Sequence, residues 1–225
     1  MPRARRLALL ALTCVLACAH VARLAAQEED DDEANKLANR VLNLPALSGQ
    51  SMPIFPLGAY VLDTTALRDS ALQDWRTRQQ VGARFDALLA TYFTDNAPDV
   101  RWIGPAELRR IAKRAPGMLV DPDRVGLQQL APRNVKRVPD PLSARLRQYV
   151  ALTDARAAFC PVLLGMTREY KDGVAGYRAD LTAVVVDARL GDVRWRSNAT
   201  GRGRTPEAAL RTAIATMVPP ELTAP

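Results

Sequence analysis

Imidazole and thiol chemistry have few places to sit in this 225-residue chain: one histidine, His20, and three cysteines, Cys14, Cys18 and Cys160. All but Cys160 lie near the start, where Arg3, Arg5 and Arg6 precede an apolar run from Leu7 to Ala19 and small residues follow. A charged, then apolar, then small-residue order is that of a secretory signal. The apolar run, about 13 residues, is shorter than the roughly 20 that a bilayer-spanning helix needs. Two processing sites fit. Cleavage after Ala26 makes residues 1–26 a signal peptide; the lipobox-like Val15-Leu16-Ala17-Cys18 ends the signal at residue 17 and makes Cys18 a lipidated first residue. Processing after Ala26 leaves no histidine and a single cysteine, Cys160. Ser-His-Asp and Cys-His groups, His-ligated metals and all-cysteine zinc sites are then excluded within one chain, and no internal disulfide can form. The expectation is a protein without a cofactor or a metal that is not an enzyme.

The remaining candidates are charged or aromatic. Asp187 and Asp192 flank a turn, and Asp beside Gly at strand ends is turn chemistry before it is an acid–base pair. Gly201-Arg202-Gly203-Arg204 has an anion-binding composition ahead of a helix start, but it lacks phosphate-loop spacing and reads as a sheet-to-helix connection. Ser143 and Lys136 have no oxyanion motif near them. Cys160, inside an apolar stretch, reads as a buried structural thiol. Trp102 and Trp195 read as core or sheet-face aromatics. Trp75, among Arg76, Arg78 and Gln79, is a candidate partner contact. So is the stripe Arg109, Arg110, Lys113 and Arg114, otherwise a solvated helix face.

Positive charge is carried almost wholly by arginine, 27 against 4 lysines, for a net charge of +7. From Gln27 onward 27 basic residues face 24 acidic ones, and six of those acids stand together as Glu28-Glu29-Asp30-Asp31-Asp32-Glu33. Such a run is a solvated spacer or a clamp for a basic surface. The basic body admits weak contact with anionic lipid headgroups. Export and the acidic run argue against a nucleic-acid partner.

The elements that must hold these residues follow from periodicity. Residues 27–50 read as the acidic spacer and a short helix over 34–44, residues 51–219 as one α/β domain, and 220–225 as a tail. Pro53 to Leu62 has strand length, with Pro53 and Pro56 marking a sheet edge or strand start. Ala66 to Phe93 reads as one long helix with Val81, Phe85, Leu88, Leu89 and Tyr92 at helical spacing. Val100 to Ile103 is a short strand, and Gly104-Pro105 opens a helix with Glu107 early and Lys113 and Arg114 late. Asp121-Pro122 opens a further short helix to Leu130, and residues 132–139 form a basic linker. Asp140-Pro141 reads as a cap followed by a helix with Leu142, Leu146, Tyr149 and Val150. Ala157 to Met166 reads as a central strand. Tyr177 to Asp187 and Asp192 to Gly201 read as a hairpin, with Val193, Trp195, Ser197 and Ala199 on one side. Thr205-Pro206-Glu207 starts the last helix. The fold class expected is α/β: a single mixed sheet of about five strands with a C-terminal β-hairpin, covered by helices.

The hairpin LTAVVVDARLGDVRW, with Asp187, Gly191, Val193 and Trp195, its glycine-rich exit and the TPEAAL helix form one pattern from Ala157 to Val218. It resembles the curli-secretion lipoproteins, the lipoprotein activators of penicillin-binding proteins and the N-terminal domain of TolB. The strand PIFPLGAYVLD and the strand–helix unit Val100 to Arg114 are similar to units of the same group. The resemblance implies a periplasmic or outer-membrane-associated bacterial protein, non-catalytic, that acts as an accessory or assembly factor on envelope proteins. The alternative left open by the residues is a carboxylate-only hydrolase or a small-ligand-binding periplasmic protein.

Overall fold

The computed structural model describes residues 42, 44, 47–64, 69–171 and 174–218. The signal, Cys18, the acidic run, the tail and most of the helix expected over 34–44 lie outside the described residues.

Among the described residues six strands and four α-helices follow one another: β1 (Ser51–Pro53), β2 (Ala59–Leu62), α1 (Arg78–Asn96), β3 (Arg101–Ile103), α2 (Pro105–Arg114), α3 (Leu142–Leu152), β4 (Ala157–Lys171), β5 (Val174–Asp187), β6 (Asp192–Gly203) and α4 (Pro206–Met217). The strands form a four-stranded sheet in the order β2-β4-β5-β6 and a separate two-stranded sheet of β1 and β3, rather than one five-stranded sheet. The division has a local cause. Pro53 and Pro56 lack amide protons, and between them the chain changes partner: the Ile54 amide donates to Ile103 at 2.9 Å, and the Phe55 amide to Phe159 at 2.9 Å. β2 runs parallel to β4, while β4, β5 and β6 are antiparallel.

The long helix expected from Ala66 is broken. A 3-10 helix spans Ser70–Trp75, and α1 starts only at Arg78 because Thr77 and Gln80 form a capping box. Pro122–Arg124 and Leu127–Leu130 are 3-10 turns rather than one helix, separated by Gly126 at φ +97°. Pro141, not Asp140, takes the capping position of α3.

Helices cover both faces of the sheet. Val81, Phe85, Leu89 and Phe93 of α1 join Leu210, Ala213 and Ile214 of α4 in one core. Leu108 of α2 and Leu142, Leu146 and Tyr149 of α3 join Cys160, Val162, Val184 and Val186 in the other. α4 lies so close to β6 that a Cβ on Gly201 would meet the Ala213 nitrogen at 2.1 Å, and one on Gly203 the Ala209 nitrogen at 2.6 Å. Those glycines serve close packing, and Arg202 between them pairs with Glu169 at 3.1 Å.

The expected alternation along β6 fails at one residue. Register shifts between Val185 and Val186, which pair with Trp195 and Val193, so Arg194 is the extra residue of a β-bulge. Val193 therefore packs in the core under α3, whereas Trp195 and Ala199 pack in the core under α1 and α4. Arg196 is fully buried and donates to the carbonyls of Leu130 at 2.9 Å and Val135 at 3.5 Å. It pins the basic linker to the sheet.

Candidate functional site

α2 is built as its sequence foretells, with Gly104 as cap, Pro105 in the first turn, Glu107 near the positive end, and Lys113 and Arg114 near the negative end. Leu108 fixes its inner face at 0% exposure. What the spacing does not reveal is that the four cations divide.

Arg109 turns toward α1. Its Nε donates to Asp123 Oδ2 at 2.7 Å and its Nη2 to Asp123 Oδ1 at 3.0 Å, a two-pronged pair. The same Nη2 reaches Asp86 Oδ2 on α1 at 3.4 Å. Asp86 Oδ1 is buried without a hydrogen-bond partner. Burial pushes the Asp86 carboxyl up to about 6, against the pull of Arg109, whereas the Arg109 hydrogen bonds hold Asp123 below the usual carboxylate range. Arg78 completes the cluster by donating to the carbonyls of Leu57, Gly58 and Asp123 at 3.0–3.2 Å.

Two hollows share Arg109, Asp121 and Asp123. One, of about 290 Å³, reaches Lys113 and Leu119; the other, of about 530 Å³, runs along Gln79, Gly82 and Ala83 of α1 to Arg124. Among the described residues no group of three or more His, Cys, Asp or Glu side chains is arranged to hold a metal ion. The Arg109–Asp123 pair beside both hollows fastens α2 to the following loop.

Arg110, Lys113 and Arg114 face outward. Arg110 pairs with Glu107 one turn earlier, and Met118, just beyond the helix, is 67% exposed. Together they make a basic face with one apolar residue at its end.

The other sequence candidates fall elsewhere. Trp75 is 4% exposed, with the Arg84 guanidinium over its ring at 5.6 Å, and burial withdraws it as a partner contact. Trp102 stacks on Phe93 at 4.2 Å and donates from Nε1 to Ala97 at 2.9 Å. Cys160 is fully buried, and desolvation pushes its thiol well above the ordinary range. Asp187 caps the β5–β6 turn, accepting from the amides of Arg189 and Leu190 at 3.1 and 3.2 Å. The carbonyl of Lys136 accepts from the Val193 amide at 2.8 Å, so that segment edges β6. Sequence reasoning missed Asp86, Asp123 and Arg78. The only signal was Asp86 one helical turn after Gly82, beside the core stripe.

No family model and no curated protein matches the chain. Solved structures do. A PelC dodecamer from Paraburkholderia phytofirmans is 14% identical with a TM-score of 0.39, over 80% of this chain and 92% of that one. The C-terminal domain of LpoB from Escherichia coli is 6% identical with a TM-score of 0.33, over 75% and 92%. A lipoprotein from Neisseria meningitidis is 16% identical with a TM-score of 0.29, over 68% and 81%. Among the described residues no helix is long and apolar enough to cross a membrane.

Proposed function

We propose that this chain is an exported envelope protein, non-catalytic, that works as an accessory or assembly factor by holding an acidic protein partner on the outward face of α2. The observation that carries the reading is the division of the α2 cations. Arg109, half-buried, is spent on Asp123 and Asp86 and locks the helix in place. Arg110, Lys113 and Arg114 remain outside beside an exposed Met118. A rigid helix with a charged face and an apolar residue at its end suits recognition of a complementary surface. The amino-terminal pattern of charged, apolar and small residues supports export, with release after Ala26 or lipidation at Cys18 as its two outcomes.

The test is to reverse Arg110, Lys113 and Arg114 to Glu and follow capture of envelope proteins by in-cell cross-linking, with a melting curve to show that the variant folds. Loss of capture in a folded variant supports the reading; unchanged capture overturns it.

A second reading, a hydrolase that uses carboxylates alone, is favoured by one observation. Asp86 and Asp123 both meet Arg109, the first raised to about 6 and the second lowered, the pattern of an acid and a base set apart by environment. It ranks second because both Asp123 oxygens are taken by Arg109. Turnover of a glycoside or ester that disappears in Asp86→Asn would reverse the ranking.

A further inference from the structure

A separate hollow of about 430 Å³ lies where β4 begins and β5 ends, and it shares no residue with the α2 face or the groove. Leu42, Leu47, Ala157, Val185 and Trp195 give it apolar walls, and Arg156, Asp187 and Arg194 stand among its lining residues. Its volume lies within the range of small-molecule sites.

Two features point to a ligand. Trp195 is only 4% exposed, yet its indole Nε1–H is buried without a hydrogen-bond acceptor. Buried donors are almost always satisfied, because an orphaned one forfeits its bond to water. The bulge is the second feature. The extra residue Arg194 puts Trp195 on the opposite face from Val193, and both Trp195 and Arg194 then line the hollow. Bulges of this kind re-aim side chains beside binding sites.

The charges have a direction too. Asp187 accepts from two turn amides, and its Oδ2 accepts from Arg156 Nε at 3.1 Å. Burial alone would raise its pKa, but the bonds from Leu190, Arg156 and Arg189 hold it below the ordinary value. Arg194 is held loosely, 3.8 Å from Asp187 and 3.7 Å from Asp192, and is half exposed. The lining thus carries two guanidiniums against one carboxylate that is already engaged.

We propose that this hollow binds an anionic amphiphile, its apolar body against Leu42, Leu47 and Val185 and its acidic head between the Trp195 indole N–H and the Arg156 and Arg194 guanidiniums. A fatty carboxylate and a monoalkyl phosphate share this chemistry.

The test uses the chain as the host processes it, with ¹⁵N-labelled tryptophan, titrated with laurate, dodecyl phosphate and dodecanol below their micelle concentrations. Saturable binding of laurate or dodecyl phosphate that moves the Trp195 indole resonance is expected, and whichever binds more tightly identifies the head group. Trp195→Phe, which keeps a ring but removes the donor, and Arg194→Gln, at a half-exposed position, should each weaken the preferred anion about tenfold, the worth of one charge-assisted hydrogen bond. Equal affinity for dodecanol overturns the anionic head. Absence of any saturable shift overturns the site. An indole resonance already hydrogen-bonded without ligand, and unmoved by any of the three, also overturns it and assigns the acceptor to another part of the chain.

Discussion

In the groove between α1 and α2, Arg78 reaches three carbonyls and Arg109 two carboxylates, leaving a single oxygen of Asp86 without a partner. In the hollow beside Trp195 the walls are apolar, and the indole N–H has nothing to donate to. The groove contains much of the charge yet spends it on itself, which is how a fold fastens one helix to another. The hollow contains fewer polar groups, but one of them is unanswered, and that is where a ligand would add most. Richness in charged residues is therefore a poor guide to which concavity waits for a partner; satisfaction of each group is a better one.

The largest effect should come from removing the fastening. Arg109→Ala leaves Asp86 and Asp123 without their cation, and urea denaturation at pH 8 should show a loss of about 2–3 kcal/mol, below the usual cost of breaking a buried pair because Arg109 is partly exposed. The loss should shrink at pH 5, where Asp86 takes up a proton. An equal loss at both pH values would contradict the role given to Asp86.

Asp86→Asn should act with the opposite sign. The Asp86 carboxyl sits at about 6 in the folded chain against 3.8 unfolded, so the folded state binds the extra proton between those values and loses stability as pH rises through them. The variant should gain about 1–2 kcal/mol at pH 8 and nothing at pH 4. Below about pH 4 the unsubstituted chain should weaken instead. Hydrogen bonds from Tyr177 and Arg109 hold Asp69 and Asp123 below their ordinary values, and protonating them forfeits that stability. A denaturation series from pH 3 to 8 checks both signs.

Two tryptophans sharpen the contrast at smaller scale. Trp102→Phe deletes a satisfied indole bond to Ala97 and should cost about 1 kcal/mol more than Trp195→Phe, which deletes an orphan. Equal costs from chemical denaturation would mean that the Trp195 donor is satisfied in solution. Smallest of all for stability, Lys113→Glu with Arg114→Glu on the exposed face should change it by less than about 0.5 kcal/mol, while partner capture is lost.

Local signals were legible in the sequence and distant ones were not. Gly104-Pro105 and Glu107 announced α2, and the alternation after Asp192 announced β6, because caps and period-2 patterns need only near neighbours. Another legible signal is Asp172-Gly173 between Lys171 and Val174, which pair across the β4–β5 hairpin, so β4 continues past the Met166 end of its apolar run. The bulge at Arg194 left no mark, so every face assignment beyond it was inverted relative to Val193. The stripe of cations from Arg109 to Arg114 looked uniform because nothing local says that Asp86 and Asp123 wait beside the first of them. Trp75, set among polar neighbours, looked exposed for the same reason: the residues that bury it come from elsewhere in the chain.

The most direct measurement places a photo-activated cross-linker at Lys113 and, as a control, at Tyr170 on the far part of the β4–β5 hairpin, in cells with an intact envelope. Lys113 should capture a specific acidic envelope protein and Tyr170 should not, and Arg110→Glu with Arg114→Glu should abolish the product in a folded chain. Capture that is the same from both positions, or that survives the charge reversal, would contradict the role proposed for the α2 face.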